Sequence, residues 1–349
     1  MRLFPHALLA GLLALPGTGA AAPPPAPSND EHAPGRALIL LAAPRVGDDY
    51  YRARRRELLD FQVAYAKSIL GRDNVVILCD RPTRTELARD LPEDVLLVGP
   101  MRDVWMRDFT PVMPDRPVLF RYSAAAQGGK MLDAAWVQAG FTRYANYRGL
   151  EFRTCPYVLD GGNLVDNGND KAIVTDRFLA DNRLDKPQAV ALLRECLGVA
   201  QVAILPADPE DRLAHADGMA SFIASNVVAV TRYGGDFQAA IVRELRDAFP
   251  DVEIVELETE FGTQAFDPEF GSAQGLYANA TVTDHYVYLP VYGLETDARA
   301  LAQIRARTDR EVVPVDARQI APLGGSVRCL SGQLKGENAR KLIEAARAP

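Results

Sequence analysis

Histidine and cysteine are both scarce in this chain, and the scarcity narrows its chemistry. Of 349 residues, four are histidine and four are cysteine. The cysteines, at 79, 155, 196 and 329, have a spacing that matches no zinc or disulfide framework. Basic charge is not in excess either: 39 Lys and Arg stand against 46 Asp and Glu, for a net charge of −7. That balance argues against nucleic acid as a main partner and suits a cationic small substrate. Long apolar runs are absent too, because the stretch from Ala7 to Leu15 is too short to span a bilayer. What is present is ordinary globular composition, 48% hydrophobic and 24% charged, in a length that allows one large or two medium domains.

The N-terminus has the pattern of a processing signal. Arg2 supplies the positive start, Ala7 to Leu15 the apolar run and Gly19 to Ala22 the small residues of a cleavage region. Residues 1–22 are therefore expected to be a signal peptide and the mature chain exported, periplasmic or secreted, with no membrane anchor. Residues 23–35, rich in Pro, Ala and Ser, are expected to form a disordered linker. Residues 36–349 are expected to form a single catalytic domain. Export permits one disulfide among Cys79, Cys155 and Cys196, although Cys196 falls on the apolar face of a predicted helix, where packing is its expected role. A reactive Cys329 has to stay unpaired.

Periodicity predicts strands over Ala37–Ala43, Val75–Cys79 and Val95–Val98, with a helix from about Tyr51 to Leu70 ended by Gly71. From Asn163 onward one pattern is written three times, with starts roughly 60 residues apart. Each copy has a strand, a turn, a second strand, a helix and a closing strand. The closing strands are Val202–Leu205, Val252–Leu257 and Val312–Val315. No unit of this kind buries its apolar face alone, and closing several around an axis solves the problem. The remainder of the chain has room for about two more units. The expected fold is thus one α/β domain, a five-bladed pseudosymmetric propeller of ββαβ units, with a doubly wound sheet as the alternative.

The repeat also bears on chemistry, since residues at equivalent places in successive units gather at one end of the axis. At or just before the first strand of successive units stand Asp108, Asp160, His215 with Asp217, Asn279, and Cys329. His32 lies in the expected linker and His285 in a turn, which leaves His215 as the candidate base. A thiol, an imidazole and several carboxylates suit a planar guanidinium. Two carboxylates grip its fork of donors, and its central carbon faces a thiolate. Attack by Cys329, loss of ammonia and hydrolysis assisted by His215 then release a urea-type product. An amidinotransferase, a metal-dependent hydrolase using His215, Asp217, Asp160 and Asp108, and a non-catalytic guanidinium-binding protein are the alternatives.

The motifs Trp105-Met-Arg-Asp108, Asp160-Gly-Gly-Asn163, His215-Ala-Asp-Gly218 and the late Gly324-Gly-Ser-Val-Arg-Cys329 resemble those of the agmatine deiminase and Porphyromonas-type peptidylarginine deiminase family. Nearly all of the mature chain is covered, with four motifs in the same order. The resemblance implies a five-bladed α/β propeller and hydrolysis of an arginine-type guanidinium without metal or organic cofactor. Cys329 would be the nucleophile, His215 the acid and base, and Asp108 and Asp217 the guanidinium grips. Asp160, Asn279, Trp105, Gly162 and Arg107 would complete the substrate site. Asp160 stands where agmatine deiminases usually carry Glu, and Arg328 where these families commonly have His. The segment 120–129 lacks both the arginines of the peptidylarginine type and the Asn-Ala-Trp-Gly pattern of the agmatine type. The expected substrate is peptidyl-arginine or agmatine.

Overall fold

The computed structural model describes residues 28–30 and 35–348. The expected signal peptide and the rest of the expected linker lie outside the described residues. Residues 28–30 correct the linker boundary: Asn29 is buried, and its side chain donates to the carbonyls of Val75 and Asp94.

Five small sheets make up the fold. Three of them carry the repeated unit. In the first, Val165–Asp166 pairs antiparallel with Lys171–Thr175, the helix Lys186–Leu197 follows, and Gln201–Leu205 closes in parallel. The second is built the same way from Ala220–Ala224, Val227–Thr231 and Glu253–Leu257. The third uses Thr281–Val282, Tyr286–Val291 and Glu311–Asp316. A parallel pair needs a crossover helix between its strands, which is why each unit places its helix between the second and third strands.

The remaining two sheets use the same unit in altered form. In one, the isolated bridge Val112↔Val118 stands in for the antiparallel pair. Val118–Arg121 then runs parallel to Arg153–Val158 across the helix Met131–Tyr147. In the other, Leu38–Ala42 lies parallel to Asn74–Cys79 across the helix Arg55–Ile69, and its antiparallel partner is Gly332–Leu334 from the far end of the chain. Leu96–Val98 adds an outer strand to this sheet.

The central strands are buried on both faces, with every residue of Asn74–Cys79 inside. This is why they read as continuous apolar runs without alternation. The helices lie against them through one stripe. In Arg55–Ile69 that stripe contains Leu58, Phe61, Tyr65 and Ile69, as the 3.6-residue period requires. Cys155, in the strand Arg153–Val158, is disulfide-bonded to Cys196 in the helix Lys186–Leu197. Of the three cysteines among which one disulfide was allowed, Cys155 and Cys196 form it, and Cys196, expected to pack, is a cross-link.

Candidate active site

The first strand of each unit is entered through a short turn, and the chemistry-bearing residues lie in these turns. Asp108 lies in the single-turn helix Met106–Phe109, and Asp160 sits at the N-terminus of the 3-10 turn Gly161–Asn163. His215 occupies the same place before Ala216–Gly218. Asn279 and Cys329 stand in the irregular turns before Thr281–Val282 and Gly332–Leu334. Hydrogen bonds join neighbouring turns. The Arg107 amide donates to the Cys329 carbonyl at 3.1 Å, the Arg328 amide to the Asn279 carbonyl at 3.2 Å, and the Gly162 amide to Asp108 Oδ1 at 3.2 Å.

His215 lies between two carboxylates. Its Nε2 is 3.3 Å from Asp160 Oδ2 and its Nδ1 is 3.7 Å from Asp108 Oδ1. Burial works against a charged ring, but Asp108 and Asp160 together outweigh it and hold the imidazolium up to about 9. Burial likewise raises Asp108, while His215 restrains the rise. Asp160 goes the other way. Although buried, it accepts from His215 and from both the amide and the hydroxyl of Ser123, at 2.6 Å each, and stays below the usual carboxylate range. The close approach depends on Gly162, where a Cβ would come within 2.4 Å of His215 Nδ1.

Cys329 has a different neighbourhood. Asn279 Nδ2 lies 3.1 Å from its sulfur, and Asn279 Oδ1 accepts from the amides of Arg328 and Cys329. Asp217 Oδ2 is 3.8 Å from the sulfur and 3.0 Å from Arg328 Nη1. Burial, then the charges of Asp217 and Asp108, push the thiol well above its ordinary value. A cation placed beside the thiol would offset those carboxylates.

Two cavities reach the sulfur. One, of about 340 Å³, contains Tyr51, Asp103, Trp105 and Asp108; the other, of about 430 Å³, contains Asp217, Met219, Tyr233 and Asn279. His215 and Cys329 line both. The Trp105 ring covers Gly325, where a Cβ would come within 2.5 Å of it.

Of the nine residues expected in the site, Cys329, His215, Asp108, Asp217, Asn279 and Trp105 line one or both cavities, and Gly162 packs against His215 and Asp108. Asp160 is corrected from a substrate contact to a support: it lines neither cavity, and its oxygens are taken by Ser123 and His215. Arg107 is also corrected. It is 2% exposed, its Nη2 donates to Gln333 at 2.6 Å, and it lines neither cavity. Among the described residues, no three His, Cys, Asp or Glu side chains are grouped as a metal site.

The sequence matches the family of Porphyromonas-type peptidyl-arginine deiminases over residues 29–334. The chain belongs to that family. An agmatine deiminase of Pseudomonas fluorescens is 26% identical over 216 residues, which is 52% of this chain and 58% of that protein. Among solved structures, the fold is similar to that of C. jejuni agmatine deiminase, with a TM-score of 0.73 at 18% identity over 89% of this chain and 96% of that one. It is also similar to the agmatine deiminase of Enterococcus faecalis, with a TM-score of 0.68 at 20% identity over 88% and 95%.

Several members of this family site were not foreseen. Arg328, which sequence reasoning could not orient, is buried and ion-paired with Asp217. Ser123 carries no motif, and only the Asp160 geometry reveals it. The segment 258–275 crosses over the site, tied by the Phe266 amide to the Pro322 carbonyl and by the Ala273 amide to the Ala321 carbonyl. Its irregular, Gly-rich sequence gives no periodic signal.

Proposed function

We propose that this chain hydrolyses the guanidinium of an arginine-type substrate, agmatine or peptidyl-arginine, to the ureido product and ammonia. The observation that carries the reading is Cys329 beside Asp217, with His215 charged between Asp108 and Asp160 in the same cleft. The incoming guanidinium is held by Asp108 and Asp217, and its charge allows Cys329 to lose its proton to solvent, His215 being already protonated. The thiolate attacks the central carbon. His215, protonated at neutral pH, gives its proton to the departing nitrogen, and ammonia leaves a thiouronium on Cys329. The neutral imidazole then takes a proton from water, which attacks the same carbon and releases the thiolate. Asp160, locked by Ser123, keeps the ring in place and favours its charged form.

The outer wall of the Trp105 cavity has Asp48, Asp133, Asp267 and Glu269 against Arg102, Lys130 and the Arg212 that pairs with Glu269. This excess favours substrates whose far end is cationic or uncharged over one ending in a carboxylate. The five sheets are read as blades of a five-bladed propeller, formed by one domain over residues 36–349. The mature chain is read as working outside the cytosol, where a disulfide such as Cys155–Cys196 persists.

The test is ammonia release by the purified chain from agmatine, free arginine and arginine-containing peptides. Cys329→Ala should abolish release while leaving circular dichroism unchanged. Undiminished activity in that variant would remove the covalent mechanism. Loss of activity to a chelator but not to iodoacetamide would favour a metal-dependent hydrolase instead.

A further inference from the structure

The two cavities beside Cys329 share only Leu213, His215, Phe270, Gly324, Gly325 and Cys329. They meet at the reacting pair and diverge from it. Phe270 lines both, and Arg212, from the loop before His215, lies 5.6 Å from the centre of its ring and is ion-paired with Glu269 of the Trp105 cavity.

The cavities differ in charge balance. The Trp105 cavity contains two buried carboxyls: Asp103, which has no cationic side chain paired with it among the described residues, and Asp108, whose cation His215 is shared with Asp160; burial pushes both upward. A cation entering there relieves that imbalance. In the Asn279 cavity the buried carboxylate is Asp217, already matched by Arg328. This space has no uncompensated buried charge and suits small neutral molecules. Its outer end, with Asp208, Glu210 and Asp211, attracts cations.

We infer that the Asn279 cavity is a separate port to the covalent adduct, taking water in and ammonia out while the substrate's chain still fills the Trp105 cavity. The inference rests on the deiminase reading above. Once the thiouronium has formed, the remainder of the substrate is still bonded to Cys329 and occupies its own mouth. Ammonia must leave and water must enter by another way. Ammonia that reaches the outer carboxylates gains a proton and is drawn off as ammonium. A port of this kind also admits small uncharged amines. The nitrogen lone pair of such an amine attacks the thiouronium carbon, the C–S bond breaks, and its electron pair returns to sulfur as the thiolate. The amine nitrogen loses a proton to His215, and the product is an N-substituted guanidine in place of the urea.

The experiment uses hydroxylamine, which is uncharged at neutral pH, as the competing nucleophile during agmatine turnover. Mass spectrometry measures the ratio of N-hydroxyguanidine to ureido product, and steady-state kinetics give kcat and KM. Ser272→Trp narrows the port. It should lower kcat and lower the hydroxylamine share by about tenfold, since the larger nucleophile suffers more, with kcat/KM for agmatine nearly unchanged because the port acts after the adduct has formed. Tyr233→Ala widens the port and should raise the hydroxylamine share, an independent readout if the tryptophan variant does not fold. Ala126→Trp, in the other cavity, should raise KM and leave the share unchanged. If Ser272→Trp and Tyr233→Ala instead change kcat/KM and leave the share fixed, the substrate occupies the Asn279 cavity and the port is overturned. No turnover of any guanidine by the unmodified chain overturns the deiminase reading, and the port with it.

Discussion

Asp160 and Asp217 are both buried carboxylates in equivalent turns of neighbouring units, yet each has a different kind of cation beside it. Asp160 faces His215, whose charge can be lost. Asp217 faces Arg328, whose charge cannot. One side of the cleft therefore carries a charge that can titrate, and the other keeps a fixed charge beside the Cys329 thiol. A buried anion costs several kcal/mol unless it is matched, so the choice of partner decides which half of the site can change state during a reaction.

Breaking the fixed side should have the largest effect. Arg328→Met leaves Asp217 buried and unmatched, and should destabilise the fold by roughly 3–5 kcal/mol in urea unfolding. Adding Asp217→Asn should recover much of that loss while leaving the protein inactive. A single variant as stable as the parent would show that Arg328 does not hold the charge balance.

The titrating side is tested by Asp160→Asn. Removing the carboxylate that favours the imidazolium should move the His215 titration down from about 9, as read by NMR. Turnover should fall by about 100-fold, the scale of a lost acid–base contribution. Stability changes with a defined sign. His215 is raised, so the stability from its charge is complete below about pH 6.5 and is lost as pH rises through about 9. Asp160 is lowered, so its contribution is present above the ordinary carboxyl range and lost as pH falls through its depressed value. In Asp160→Asn the alkaline limb of the stability curve should shift to lower pH; an unmoved limb would mean another group holds the ring charged.

Ser123→Ala should have the smallest effect. The hydroxyl bond to Asp160 is lost while the amide bond remains. The expected cost is about 1–2 kcal/mol, with a downward shift of the His215 titration smaller than in Asp160→Asn. A shift as large as that variant's would make Ser123, not the carboxylate itself, the controlling group.

The sequence carried the parts of this architecture that repeat. Strand, turn, strand, helix and closing strand recur because each unit solves the same burial problem, and the repeat alone brought Asp108, Asp160, His215, Asn279 and Cys329 to one place. It could not say which way a side chain turns. Asp108 and Arg107 are neighbours in one helical turn, but Asp108 faces the cleft while Arg107 runs inward to Gln333. Nor could it fix Arg328, adjacent to Cys329 yet directed toward Asp217 and the Leu164 carbonyl. The Cys155–Cys196 link was equally hidden, because the partners are 41 residues apart and come together only when a strand of one unit meets the helix of the next.

Gly332–Leu334 follows Cys329 by three residues and pairs with Leu38–Ala42, the first strand of the described chain. The loop that carries Cys329 is therefore anchored on its C-terminal side by a sheet whose other strands lie far away in sequence. His215 and its carboxylates are held by other sheets, so cutting away Gly332–Leu334 would release the thiol while leaving the imidazole in place.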